Sequence, residues 1–157
     1  MWTKVIAGVL CTAAAASSVP NCPVLPVISA AEKKRQGTLA GNWVNELGSK
    51  MVLELPNAKG EFSGTYLTSV SASQKPIVKS PLIGIQHAPL REGQVTFGFT
   101  VNWAFSDSTA VFVGQRFVDE KGKETLETMW LLREEMDSAG DNWKATRVGT
   151  NIFKREP

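Results

Sequence analysis

The sequence predicts an all-β chain folded as an eight-stranded antiparallel up-and-down barrel, and three observations carry this. Hydrophobic segments recur after residue 36 with turn residues between them. None runs for long at helical period. Eight of them follow one another, the count at which such a barrel closes around a filled interior or one small ligand; a sandwich would show the same spacing. The first strand, 41–47, begins at Gly41-Asn42-Trp43 and stops at Gly48, and the second, 50–56, stops at Pro56-Asn57. The third covers 61–70 and the fourth 80–87. The fifth, 94–103, alternates most cleanly, and Ser106-Asp107 separates it from the sixth, 108–119. Asp119-Glu120-Lys121-Gly122 turns the chain into the seventh, 124–135, and Gly140-Asp141-Asn142 into the eighth, 143–155.

One domain of 41–155 follows from this, behind a polar linker at 32–40 and a leader at 1–31. The leader has a Lys in its first four residues, an apolar run from Val5 to Ala16 and small residues after it, the layout of a secretory signal peptide. The run is too short to span a bilayer as a helix, so no membrane partner is expected. A cut after Ala16 would keep Cys22, and one at Ser29-Ala30-Ala31 would remove it; the later cut is preferred. The alternatives are a lipid anchor, disfavoured by the residues before Cys11 and Cys22, and an apolar segment packed into the fold. Secretion is the expected localisation, extracellular or periplasmic.

Composition removes several functions. Of 157 residues, 43% are hydrophobic, enough for a core, and 17 Lys and Arg against 15 Asp and Glu give a net charge of only +2. Nucleic acid is therefore not an expected partner. The chain has one His, His87, and no Cys after Cys22, so neither a His-based triad nor a multi-His metal site can be assembled easily. No paired carboxylates occupy the barrel face. An enzyme is not expected, nor is a cofactor or metal. His87 and Arg91 read as solvated surface.

Alternation assigns faces, because successive side chains of a strand point to opposite sides. In the fifth strand Val95, Phe97, Phe99, Val101 and Trp103 share one face. In the seventh Leu126, Thr128, Trp130 and Leu132 do so, but Met129 and Leu131 occupy the opposite side; Val148 and Ile152 do the same in the eighth, opposite Asn151 and Phe153. A barrel needs only one apolar side, so this surplus predicts that another subunit covers the exterior there.

Gly41-x-Trp43 resembles the opening of the ligand-carrying calycin barrels. Asn45, Leu47 and Ser49 then alternate along one face, and Tyr66 and Thr68 repeat the pattern, giving a cavity wall with hydrogen-bonding groups beside apolar ones. The chain from Gly41 to about Phe153 resembles the avidin and streptavidin family of biotin-binding proteins, and the avidin branch more closely. The resemblance runs through Gly-Asn-Trp-x-Asn-x-Leu-Gly-Ser (41–49), Gly-Glu-Phe-Ser-Gly-Thr-Tyr-Leu-Thr (60–68), Thr-Phe-Gly-Phe-Thr-Val-Asn-Trp (96–103), Thr-Met-Trp-Leu-Leu-Arg (128–133) and Trp-Lys-Ala-Thr-Arg-Val-Gly-Thr-Asn-Ile-Phe (143–153).

That resemblance implies an avidin-like barrel binding biotin as a ligand, without catalysis. It places Asn45, Ser49 and Tyr66 as donors to the ureido oxygen, Thr68 and Asn151 as acceptors from the ureido N–H groups, and Ser108 at the ring sulfur. Ser71, Ala72, Ser73 and Ser106 would meet the valerate tail. Leu47, Trp103, Phe105, Phe112, Trp130 and Leu132 would form the apolar box. Trp143 would cap the pocket of a neighbouring subunit in a homo-oligomer, by default a tetramer.

Departures from the family pattern follow from the same resemblance. Gly37 and Arg116 stand where the avidin branch has an intramolecular disulfide. Thr150 replaces an Ile beside Met129 and Val148 at a subunit contact. Ser71 and Ser73 replace Thr. No Asn-x-Ser/Thr sequon occurs. The alternative reading is a lipocalin-like carrier of another hydrophobic ligand, disfavoured by the polar wall and by the absence of a helix pattern after the last strand.

Overall fold

Turn chemistry fixes where the strands stop. In the computed structural model, which describes residues 38–87 and 94–156, β1 (Gly41–Asn45) ends because Asn45 Oδ1 accepts from the N–H of Leu47 at 3.0 Å and of Ser49 at 2.8 Å. Two amides that a longer strand would leave unpaired are thus satisfied within the turn. β2 (Lys50–Leu53) is followed by a turn in which Asn57 Oδ1 accepts from Lys59 at 2.9 Å and Glu61 at 3.1 Å. β3 (Glu61–Leu67) stops short of residue 70 because the Thr68 hydroxyl donates to Val70 O at 2.8 Å and accepts from Val70 N at 3.2 Å. β4 (Ser80–Gln86), β5 (Val95–Asn102), β6 (Ser108–Val118) and β7 (Glu124–Glu134) match their expected positions closely. Between the last two, Asp119 Oδ1 accepts from Lys121 and Lys123 at 2.9 and 2.8 Å.

The eighth strand is corrected at its start. Residues Ala139–Lys144 form a 3₁₀ turn, and β8 is Thr146–Arg155. Local bonds win over the strand pattern there: Ser138 Oγ donates to Asp141 Oδ2 at 2.9 Å, and Lys144 pairs with Asp141 at 2.8 Å.

Every strand pairs antiparallel with its neighbour in the chain, and β8 returns to β1 through Trp43↔Arg155, Val44↔Lys154 and Asn45↔Phe153, closing the expected barrel. Val95, Phe97, Phe99 and Val101 are buried inside, with Leu126, Phe153 and Trp43. The outward residues Ile83, Val111, Val113, Met129, Leu131, Val148 and Ile152 are exposed in this single chain. Register joins several of them: Val111 stands opposite Leu131, and Leu131 opposite Val148.

One end of the barrel is closed by charge as well as packing. Leu39 and Ala40, at the end of the expected linker, are buried, and Trp43 Nε1 donates to Leu39 O at 2.8 Å. The Arg155 guanidinium lies 4.3 Å over the Trp43 ring, donates to Ala40 O at 2.8 Å and pairs with Glu124. Gly41, at φ 133°, leaves room for it: a Cβ there would lie 2.4 Å from Arg155 Nη1. Arg116 is buried and donates through Nε to Glu124 at 3.0 Å. Residues 1–37, including Gly37, both cysteines and the expected leader, and Arg91 lie outside the described residues; His87 is exposed.

Candidate ligand-binding site

The inward faces leave a cavity of about 540 Å³ at the end opposite Trp43 and Arg155, the size range of a small-molecule site. Every residue singled out above lines it except Trp143: Asn45, Leu47 and Ser49 from β1 and its turn, Tyr66 and Thr68 from β3, and Ser71, Ala72 and Ser73 from the loop that follows. Trp103, Phe105 and Ser106 come from the β5–β6 connection, Ser108 and Phe112 from β6, Trp130 and Leu132 from β7, and Asn151 from β8. Trp143 sits on the 3₁₀ turn, 82% exposed, away from its own barrel's cavity.

The deep end is polar, and its side chains are held before any ligand arrives. Asn45 Oδ1 is committed to Leu47 and Ser49, so its Nδ2 is the group that it offers as a donor. Asn151 is fixed the other way round: its Nδ2 donates to Glu46 Oε1 at 2.7 Å, leaving Oδ1 as an acceptor. Glu46 also accepts from Ile152 N at 2.9 Å. Burial raises the Glu46 carboxyl, but the bonds from Asn151 and Ile152 outweigh it and hold the group below the usual carboxylate range.

Ser49 Oγ accepts from Ser69 N at 3.0 Å, which leaves its hydroxyl proton to donate, and it reaches the Tyr66 phenol. Burial pushes that phenol well above its ordinary pKa, against the opposing Ser49 bond, so it remains a neutral donor. The Thr68 proton is used on Val70 O, so its remaining capacity is as an acceptor.

Aromatic packing fixes the wall. Tyr66 stands edge-on to Trp103 at 5.3 Å and to Phe153 at 6.1 Å, and tilted against Phe112 at 5.6 Å. Trp130 packs against Gly149, its ladder partner, where a Cβ would come within 2.4 Å of the indole. Trp103 Nε1 is a buried donor with no hydrogen-bond partner among the described residues.

The shallow end is different. Ser106 Oγ and Ser108 Oγ are 2.6 Å apart, and Ser108 stands opposite Glu134 in the β6–β7 ladder. Ser108, expected at the ring sulfur, therefore shares the level of Ser106, and Ala110 is the next inward residue of β6. Sequence reasoning missed Val70, Ala110, Glu134 and Arg147 on the lining, and Glu46 behind it. The charged pair could have been suspected only from the strand register, which opposes Arg147 to Leu132.

A model of the Avidin family matches residues 33–156. The chain belongs to the avidin family. Avidin of Gallus gallus is 54% identical over 132 residues, 84% of each chain, and Avidin-related protein 3 of the same organism is 53% identical over 133 residues, 85% of each. Among solved structures, the biotin binding protein from chicken superposes with a TM-score of 0.75 at 57% identity, covering 78% of this chain and 99% of its own. Xenavidin does so at 0.72 and 52%, covering 77% and 99%. Avidin-family proteins are non-catalytic binders of biotin that need no cofactor. No helix among the described residues is long and apolar enough to cross a membrane.

Proposed function

We propose that this chain captures biotin in the barrel cavity, and that each site is completed by Trp143 of a neighbouring copy. The observation that carries the ligand assignment is the opposite locking of two carboxamides, Asn45 as donor and Asn151 as acceptor. A ureido group is an acceptor oxygen flanked by two N–H donors. Asn45, Ser49 and Tyr66 surround the oxygen, while Thr68 and Asn151 receive the N–H groups. The donors are preorganised, so polarising the ureido oxygen costs little rearrangement. Trp103, Phe105, Phe112, Trp130, Leu132 and Leu47 enclose the bicycle and the methylene chain.

The tail carboxylate reaches Ser106 and Ser108, with Ser71, Ala72 and Ser73 from the loop. The 2.6 Å hydroxyl pair supports moving Ser108 from the sulfur to this end. The exposed apolar exterior supports a homo-oligomer, a tetramer by default. The apolar run near the N-terminus supports secretion, extracellular or periplasmic.

A ligand that binds only the folded state stabilises it by about 4 kcal/mol at a thousandfold excess over Kd. Biotin is therefore expected to raise the melting temperature by many degrees. An unchanged melting curve at saturating biotin would refute the assignment.

A further inference from the structure

Arg147 of β8 is the single Lys or Arg side chain on the lining of the 540 Å³ cavity among the described residues, and Glu134 of β7 is the single carboxylate there. The two are paired, Arg147 Nη1 donating to Glu134 Oε1 at 2.6 Å. Glu134 is opposite Ser108 in the ladder, and Ser108 bonds Ser106, so the pair stands at the shallow end of the cavity. Its side chains are partly exposed, 51% for Arg147 and 30% for Glu134.

We infer that Glu134 sets the tail selectivity of this site by holding the Arg147 charge away from an anionic ligand tail. The inference rests on the biotin reading and adds to it which biotin derivatives the pocket prefers. A guanidinium alone at the mouth would attract the carboxylate of free biotin and favour it over a biotin whose tail is an uncharged amide, as in biotin joined to an amine. With Glu134 bonded to it, the charge of the pair cancels, and the Arg147 guanidinium is spent on Glu134 instead of on the tail. Free biotin then gains no ion pair over an amide-tailed ligand. The tail is distinguished by its hydrogen bonds and not by its charge.

The test compares dissociation rates of biotin and biotinamide from the wild-type protein, from Glu134→Gln and from Glu134→Gln/Arg147→Gln. Gln keeps the shape of Glu at a partly exposed position, so the barrel is expected to fold. In the wild type the two rates should lie within a few-fold of one another after allowance for the tail hydrogen bonds. In Glu134→Gln the biotinamide-to-biotin rate ratio should rise about fivefold, the scale of a partly exposed ion pair, and the rise should shrink in high salt. In the double variant the gain should vanish. An unchanged ratio in Glu134→Gln, or a gain that survives loss of Arg147, would overturn the inference while leaving biotin binding in place. Failure of the wild type to bind either ligand would overturn the biotin reading and this inference together.

Discussion

Tyr66 is the one tyrosine of the chain, and three aromatic rings hold its phenol in place while Ser49 bonds the oxygen. Tyr66→Phe should leave the barrel folded and weaken biotin by roughly 1–3 kcal/mol, because the ureido oxygen loses one donor in a dry pocket. Ser49→Ala acts on the same oxygen, so the two losses should couple in a double-mutant cycle of dissociation rates instead of adding. Strict additivity would break the three-donor arrangement. The shared faces of Asn45, Leu47 and Ser49, and of Tyr66 and Thr68, were legible from alternation, whereas the donor roles of Asn45, Ser49 and Tyr66 came only with the family resemblance. Glu46 was not. It follows Asn45 and reads as a solvated charge, and only closure of β1 against β8 brings it to Asn151, 105 positions away. Glu134 and Arg147 were hidden for a similar reason: each is an ordinary surface charge until the ladder sets it at the rim.

Strand boundaries were legible where punctuation was strong, as at Asp119 to Gly122, and less so where a side chain bonds its own backbone. Asn45 and Thr68 each end a strand early in this way. The 3₁₀ turn Ala139–Lys144 was missed because its cause, the Ser138, Asp141 and Lys144 contacts, leaves no hydrophobic period to read. That turn matters because it carries Trp143, 82% exposed and thus of little use to its own barrel. Trp143→Lys should leave the isolated barrel intact, speed biotin release by removing cover worth about 2 kcal/mol, and reduce the size of the assembly. Light scattering beside the release rate measures both. A variant of unchanged mass and unchanged release would make Trp143 a surface residue only.

At the scale of the molecule, the closed end is tied together by charge. Glu124 bridges Arg116 and Arg155, and Arg155 in turn holds Ala40 and covers Trp43. Burial raises the Glu124 carboxyl, but the bonds from Arg155 and Arg116 prevail and set it below the usual carboxylate range. A folded value depressed below the unfolded one contributes stability above the unfolded pKa, which is lost as pH falls through the folded pKa. Glu124→Gln should therefore cost roughly 3 kcal/mol near neutral pH, since Arg116 stays buried beside a neutral partner, and the difference from wild type should narrow in acid. Chemical denaturation at several pH values tests this; a gap that does not narrow would remove the ionic account. The bridge was not readable from the sequence, where Arg116, Glu124 and Arg155 are three separate charges, whereas the barrel was, because strand count and turn spacing are local properties. Closure has one more effect. With β8 bonded to β1, every strand among the described residues has a neighbour on both sides, so the barrel offers no open strand edge to recruit another chain. Any contact between barrels then falls to outward side chains such as Val111, Leu131 and Val148 and to the turns, so changing an exterior residue such as Thr150, opposite Met129 in the ladder, would alter that surface without disturbing the barrel's own backbone pairing.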